Sequence, residues 1–234
     1  MIPRRLRHLP VAANLAGPFA FQANSQTRVH EYPWAFHALA LEPGMRVLEI
    51  GGSNSGFQFV LDRVGCEVVN VDPGEQARGR GWPVTPAFLT VLNRRFGTRV
   101  ELRNCFLDQT DLPDASFDRV VSISTIEHVP EPDIKNILTH AGRLLRPGGL
   151  LVLTVDLFLD IAPFADATQN EWGTNISMKW LIEESKLTPI AFEPRELCGY
   201  PEFDPAQVLA HRHDYLIGRS YPVMIQSVVL RKER

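Results

Sequence analysis

From about residue 46 onward, short apolar runs alternate with segments of helical period, and this alternation constrains the fold more than any other feature. "RVLEI", "CEVVNVD", "RVELRNC", "FDRVVSIS" and "LLVLTVD" are strand-length runs. Between the first three, "GFQFVLDRVG" and "PAFLTVLNRRFG" are expected to be helical, stopped by Gly65 and Gly97. After Pro132, the residues Ile134, Ile137, Leu138, Ala141, Leu144 and Leu145 follow an i, i+3, i+4, i+7 stripe, and "RPGG" ends that helix. "SMKWLIEESKL" is a further helix with Ser177 as N-cap, followed by a strand "TPIAFE" and a last strand "PVMIQSVVLR". Such a series predicts an α/β domain, a parallel sheet with helices on both faces. "CGYPEFDPAQVLAHRHDYLIGRSY" fits no regular element and has the character of a specificity loop.

The 234 residues suffice for one domain with a full core. A net charge of −3 argues against a general nucleic-acid binder, although "PRRLRH" and "RGRG" leave room for local basic patches. Cys66, Cys105 and Cys198 are widely spaced and odd in number, so neither a disulfide framework nor a zinc site is expected, and a cytoplasmic, reducing setting is. The opening "MIPRRLRHLPVAANLAGPFAFQ" has the basic-then-apolar order of a signal peptide, but Pro10, Asn14, Gly17 and Pro18 break its apolar part. No stretch of it reaches the roughly 20 residues of a membrane span. Residues 1–30 are therefore expected to form a surface segment or lid, and residues 31–234 the domain proper, with substrate-side insertions near 156–175 and 195–220.

The loop "VLEIGGSNSG" has the glycine spacing of a dinucleotide fingerprint at Gly51 and Gly56, with Ser53 where the second glycine belongs. That second glycine serves close approach to a pyrophosphate. Glu49, at the end of the first strand, would repel a pyrophosphate but suits an ammonium or a sulfonium. S-adenosyl-L-methionine carries both and no phosphate. Asp72, ending the second strand about 20 residues on, is at the distance expected for a ribose partner.

The ordered series "VLEIGGSNSG", "VVNVD", "LDQTDLPDASFDRVVSISTIEHVPEP" and "LLRPGGLLVLTV" resembles the class I S-adenosylmethionine-dependent methyltransferases, nearest to their small-molecule branch, over about residues 30 to 230. The resemblance implies a Rossmann-like seven-stranded sheet, mostly parallel, with the last strand antiparallel. It also implies that Glu49, Gly51, Gly52 and Ser53 line the methionine and ribose side of the cofactor and that Asp72 holds the ribose diol. Asp108 would bind the adenine amino group with Gln109 beside the ring, and Ser124 would lie under the methionine part. The family more often has E/D-x-G-x-G-x-G, whereas positions 53 and 55 here are both serine.

Methyl transfer from a sulfonium needs an acceptor held in line and often a base for its proton. Glu127 and His128 in "STIEHVPEP" lie just past the fourth strand, where an imidazole could serve a hydroxyl acceptor, or could simply pack against the cofactor. His211, His213 and Asp214 in "LAHRHDYL" are a second set, equally readable as solvated loop residues. Asp156, on the fifth strand, is a candidate oxygen ligand for Mg²⁺, which in sugar O-methyltransferases of this fold orients vicinal hydroxyls. Tyr32, Trp34 and Phe36 could stack on a planar or sugar acceptor, but packing is the commoner use of such rings, as it is for Trp180. The expectation is a small-molecule methyltransferase, acting on a hydroxyl of a sugar or polar natural product. The alternatives are a nitrogen acceptor, an NAD(P)-dependent oxidoreductase or a cofactor-binding subunit without turnover.

Overall fold

The computed structural model describes residues 17–22, 24–77, 84–215 and 222–233. The basic "PRRLRH" and most of the "RGRG" loop, together with residues 216–220 of the second insertion, lie outside them. In chain order the strands are β1 (Arg46–Ile50), β2 (Glu67–Val71), β3 (Glu101–Arg103), β4 (Phe117–Ile123), β5 (Leu145–Phe158), β6 (Thr188–Ala191) and β7 (Val223–Arg231). They form one seven-stranded sheet in the order β3-β2-β1-β4-β5-β7-β6. β1 to β5 pair in parallel, and β7 runs antiparallel to both of its neighbours. The fold is the Rossmann-like methyltransferase arrangement that the resemblance implied.

Strands covered on both faces need apolar side chains at successive positions, because neighbours point to opposite sides. Val47 packs on one face with Tyr32 and Ala35 of helix α1 (Arg28–Ala38) and its C-cap Leu39, Phe57 and Leu61 of α2 (Gly56–Arg63), and Leu89 and Leu92 of α3 (Pro86–Phe96). Leu48, its neighbour, joins the other face, which α4 (Glu131–Leu144) and α5 (Met178–Ser185) cover through Ile134, Leu138, Leu181 and Ile182. The helix ends follow local chemistry. Thr85 caps α3 by accepting the Phe88 N–H, and Gly97 ends it at φ +65°. Ser177 caps α5 by accepting the Trp180 N–H at 3.2 Å.

Two expectations change. "RPGG" does not separate α4 from the next strand; β5 starts at Leu145, directly after α4. Leu145 pairs with Phe117, the register then shifts, and Arg119 faces Leu150, so Arg146–Gly149 is an irregular stretch carried within the strand. Lys232 Nζ donates to the carbonyls of Gly142 and Leu145, each at 2.8 Å, and ties the junction to the end of β7. The Pro- and His-rich segment also contains two short helices, α6 (Pro205–Ala210) and α7 (Arg212–Tyr215). Asp204 caps α6 by accepting the N–H groups of Ala206 and Gln207, and Pro205 occupies the first turn, where its missing N–H costs nothing.

Candidate active site

The carboxyl ends of β1, β2 and β4 meet where the strand order reverses, the place at which open parallel sheets bind ligands. β1 leads into Gly51 at φ +72°; a Cβ there would lie 2.2 Å from Thr125 Cγ2. Only glycine satisfies both conditions. A Cβ on Gly52 would lie 2.7 Å from Glu49 Cδ, so the backbone runs hard against that carboxyl. Glu49 is 2% exposed. Its Oε1 accepts the Ser55 hydroxyl at 2.9 Å, while its buried Oε2 has no hydrogen-bond partner among the described residues. Burial pushes this carboxyl up to about 7, against the pull of the Ser55 bond.

Asp72, just past β2, accepts the Ser53 N–H at 2.9 Å and the Gly74 N–H at 2.7 Å. Burial raises its carboxyl and those two backbone bonds oppose the rise. Asp108 and Gln109 lie on a one-turn 3₁₀ segment (Leu107–Gln109) and are exposed. Asp108 Oδ2 accepts Asn136 Nδ2 of α4 at 2.9 Å, and Gln109 Oε1 accepts the Phe106 N–H. The 3₁₀ turn Gly17–Ala20 packs over the start of α2, where a Cβ on Gly56 would lie 2.5 Å from the Phe19 ring. That part of the expected lid is thus docked beside the glycine loop.

Beyond β4 and β5 lies a shell of buried acids. Ser124 takes φ +38° and donates its hydroxyl to Glu31 Oε1 at 2.5 Å, with Asp156 Oδ1 at 3.3 Å. Glu31, on α1 and fully buried, also accepts the Thr154 hydroxyl at 2.6 Å and forms an ion pair with Arg28. Burial works against the Arg28 charge, but Glu31, Tyr32 and Asp156 more than offset it and hold the guanidinium protonated. Glu127, on the 3₁₀ turn Ile126–His128, accepts the Asp156 N–H at 3.0 Å through Oε1; its buried Oε2 has no hydrogen-bond partner among the described residues. Burial pushes Glu127 up to about 7 as well, with the Asp156 N–H pulling it back.

His128 Nδ1 lies 2.5 Å from the Trp172 carbonyl. A carbonyl only accepts, so Nδ1 carries the proton and the neutral ring keeps its lone pair on Nε2. That Nε2 sits 4.0 Å from Glu127 Oε1. Gly173 makes the approach possible, since a Cβ there would lie 2.1 Å from the Glu127 carbonyl oxygen.

The structure therefore gathers Glu49, Gly51, Gly52, Ser53 and Asp72 into one loop system, and Ser124, Glu127 and Asp156 into one acid shell with His128 at its margin. It separates His213 from them: this side chain is 79% exposed on α7 and pairs with Asp214 at 3.1 Å. Asp156 belongs to no candidate metal centre among the described residues. It is 2% exposed in mid-strand, opposite Ile225 of β7, and no group of three or more His, Cys, Asp or Glu among the described residues could hold a metal ion. Tyr32 stacks on Phe57 at 5.3 Å and packs in the core, with Trp34 and Phe36 partly buried against it. Trp180 packs partly buried on the opposite core, as expected. Sequence reasoning missed Arg28 and Glu31 as site residues. Their i, i+3 spacing was a signal of pairing, though not of which way the pair faces.

A glycine loop beside a buried acid stands at the switch point of a seven-stranded sheet, the place where such sheets bind nucleotide-like ligands. Residues 25–191 match the family model described as a methyltransferase domain. The chain belongs to the class I S-adenosylmethionine-dependent methyltransferase family. A ubiquinone biosynthesis O-methyltransferase of Agrobacterium fabrum is 30% identical over 108 residues, 46% of this chain and 39% of that protein. One of Azorhizobium caulinodans is 26% identical over 187 residues, 72% of this chain and 67% of that protein. A probable S-adenosylmethionine-dependent methyltransferase of Mycolicibacterium smegmatis is 30% identical over 71% of this chain and 59% of its own length. The first three curated relatives are matched over only 39%, 46% and 61% of their lengths.

Among solved structures, the 1,6-didemethyltoxoflavin-N1-methyltransferase of Burkholderia thailandensis, with S-adenosylhomocysteine bound, superposes with a TM-score of 0.61 at 18% identity, covering 100% of this chain and 92% of that one. The [4+2]-cyclase SpnF reaches 0.63 at 17% identity, covering 95% and 91%. Such likenesses show the fold alone, and the cyclase illustrates that the fold does not choose the reaction. Among the described residues no helix is long and apolar enough to cross a membrane.

Proposed function

We propose that this protein binds S-adenosyl-L-methionine and methylates a hydroxyl of a small-molecule acceptor, a sugar or another polar natural product. The observation that carries the cofactor is the buried Glu49 Oε2, which has no hydrogen-bond partner among the described residues and lies beside a glycine loop where a Cβ on Gly51 or Gly52 would clash. It suits an ammonium and would repel a phosphate. The residues present fit the cofactor: Glu49 would take its ammonium, Asp72 its ribose hydroxyls, and Asp108 with Gln109 its adenine edge. Ser124 would lie beneath its methionine part. When bound, the sulfonium supplies an electrophilic methyl carbon. The surrounding acids favour its positive charge, and Arg28, the cation of this shell, is left to face the carboxylate end.

The oxygen acceptor is supported by His128. With its proton fixed on Nδ1 by the Trp172 carbonyl, Nε2 is free to accept the proton of a hydroxyl, and Glu127 beside it favours the imidazolium that results. The resemblance to O-methyltransferases of ubiquinone biosynthesis agrees with an oxygen acceptor. We assign the segments near 156–175 and 195–220 to the acceptor side, and three free thiols support a reducing, cytoplasmic setting.

The test is calorimetric titration with S-adenosylhomocysteine and, in parallel, NADH, followed by an acceptor screen of sugars, phenols and amines. Saturable binding of the first alone, with methyl transfer to hydroxyls, is the expected result. NADH binding alone would overturn the cofactor, and transfer only to amines would overturn the oxygen acceptor.

A further inference from the structure

Ser53 stands where the fingerprint has its second glycine, yet its φ is +47°, a conformation side chains rarely adopt. Two fully buried amides converge on it, Asn70 from β2 and Gln58 from α2. Asn70 Nδ2 donates to the Ser53 carbonyl and to Gln58 Oε1, each at 3.0 Å. Gln58 Nε2 donates to the carbonyls of Ser53 and Ser55, each also at 3.0 Å. The Ser53 carbonyl thus accepts two side-chain N–H groups, filling both its lone pairs, while its own N–H goes to Asp72 Oδ2 at 2.9 Å. Both peptide groups flanking this residue are held.

The chemistry of the pair is matched to its place. Asn70 faces Glu49 across the β1–β2 ladder, and its Oδ1 would be 2.9 Å from a Cβ on Gly52. A lysine or arginine at either position would pair with Glu49 and cancel its attraction for a cation. A carboxylate would repel Glu49 and Asp72 and could donate nothing. Asparagine and glutamine donate without bringing charge.

We propose that Asn70 and Gln58 are positioning residues for the cofactor loop: their amides hold Ser53 in the left-handed conformation and so aim the Gly51–Ser53 turn and the Asp72 carboxylate at the adenosine ligand. They do with side-chain hydrogen bonds what a glycine does with conformational freedom. The proposal rests on reading this loop as the S-adenosylmethionine site.

A double-mutant cycle with Ser53→Gly tests it, read by S-adenosylhomocysteine affinity and by melting temperature without ligand. Asn70→Ala, and Gln58→Leu in case the first does not fold, should each weaken S-adenosylhomocysteine binding about 10-fold and lower the melting temperature. Glycine needs no clamp, so against a Ser53→Gly background the same two substitutions should cost only a small part of what they cost in the wild type, in affinity and in melting temperature. Additive effects, with equal costs in both backgrounds, would show that the amides merely fill the core and would overturn the proposal. Should the wild type bind no S-adenosylhomocysteine, the cofactor reading fails, and the melting-temperature cycle still decides whether the amides hold Ser53.

Discussion

The proposed cofactor end and the proposed acceptor end of this cleft are built by different means. Around Glu49, Ser53 and Asp72 the side-chain hydrogen bonds that shape the loop are short-range, the Ser53–Asp72 bond spanning 19 residues, and Asn104 adds a bond to the Asp72 carbonyl across 32. Around Ser124 they join Glu31 to β4 and β5 across 93 and 123 residues. Farther out, the acceptor side is loop and short helix, with Trp172 and Leu209 partly open to solvent. The difference teaches that the cofactor loop is a property of local sequence, whereas the acceptor shell exists only once distant parts of the chain have met.

The sharpest way to separate the two ends is His128→Ala. Loss of a general base is expected to lower kcat about 10²- to 10⁴-fold while S-adenosylhomocysteine affinity stays within about 2-fold. Equal losses in both would mean that the ring belongs to the cofactor end, and steady-state kinetics beside calorimetry would show it. Glu49→Gln should behave in the opposite way. It keeps the shape but removes a charge-assisted contact, so S-adenosylhomocysteine should bind about 10- to 100-fold more weakly. Next, Gly51→Ala imposes a left-handed backbone and a clash with Thr125, with an expected loss of about 3 kcal/mol in urea unfolding.

Titration probes both ends at once. Burial raises Glu49 and Glu127 to about 7, so the folded protein without ligand holds these protons more tightly than the unfolded chain does. The stability they contribute is fully present below their ordinary range near 4.5 and is lost as pH rises through about 7. Glu127→Gln cannot ionise. Its melting temperature relative to wild type should therefore climb between pH 5 and pH 8, and a flat difference would remove the burial argument. The smallest effect lies on the acceptor side. Asp204→Ala deletes the α6 cap, for about 1 kcal/mol and a drop of a few degrees in melting temperature, with cofactor affinity unchanged.

Legibility in the sequence follows the same division. β1, α2, β2 and the helix ends at Ser177 and Gly97 could be read because each depends on residues within a few positions. The α6 cap was equally local, in "DPAQ", but was hidden by the irregular composition around it. Asp156 was visible as an acid on the fifth strand, but its position two residues inside the strand end, against β7, depends on sheet register. Arg28 and Glu31 could not be aimed inward from sequence, since their burial is decided by β4 and β5. The lone clue to the Asn70–Gln58 clamp was a polar pair within apolar runs.

The Glu31 bond to Thr154 carries a consequence for the order in which this chain is made. Glu31 leaves the ribosome early and its partner follows 123 residues later, an interval of about 6 to 25 s at ordinary rates of synthesis. Throughout it α1 must keep a carboxylate in water that the finished protein hides completely. The glycine loop and its clamp, complete once Asp72 has emerged, can form well before the acceptor shell has a second wall. A nascent chain can therefore acquire its binding loop long before it is able to turn over.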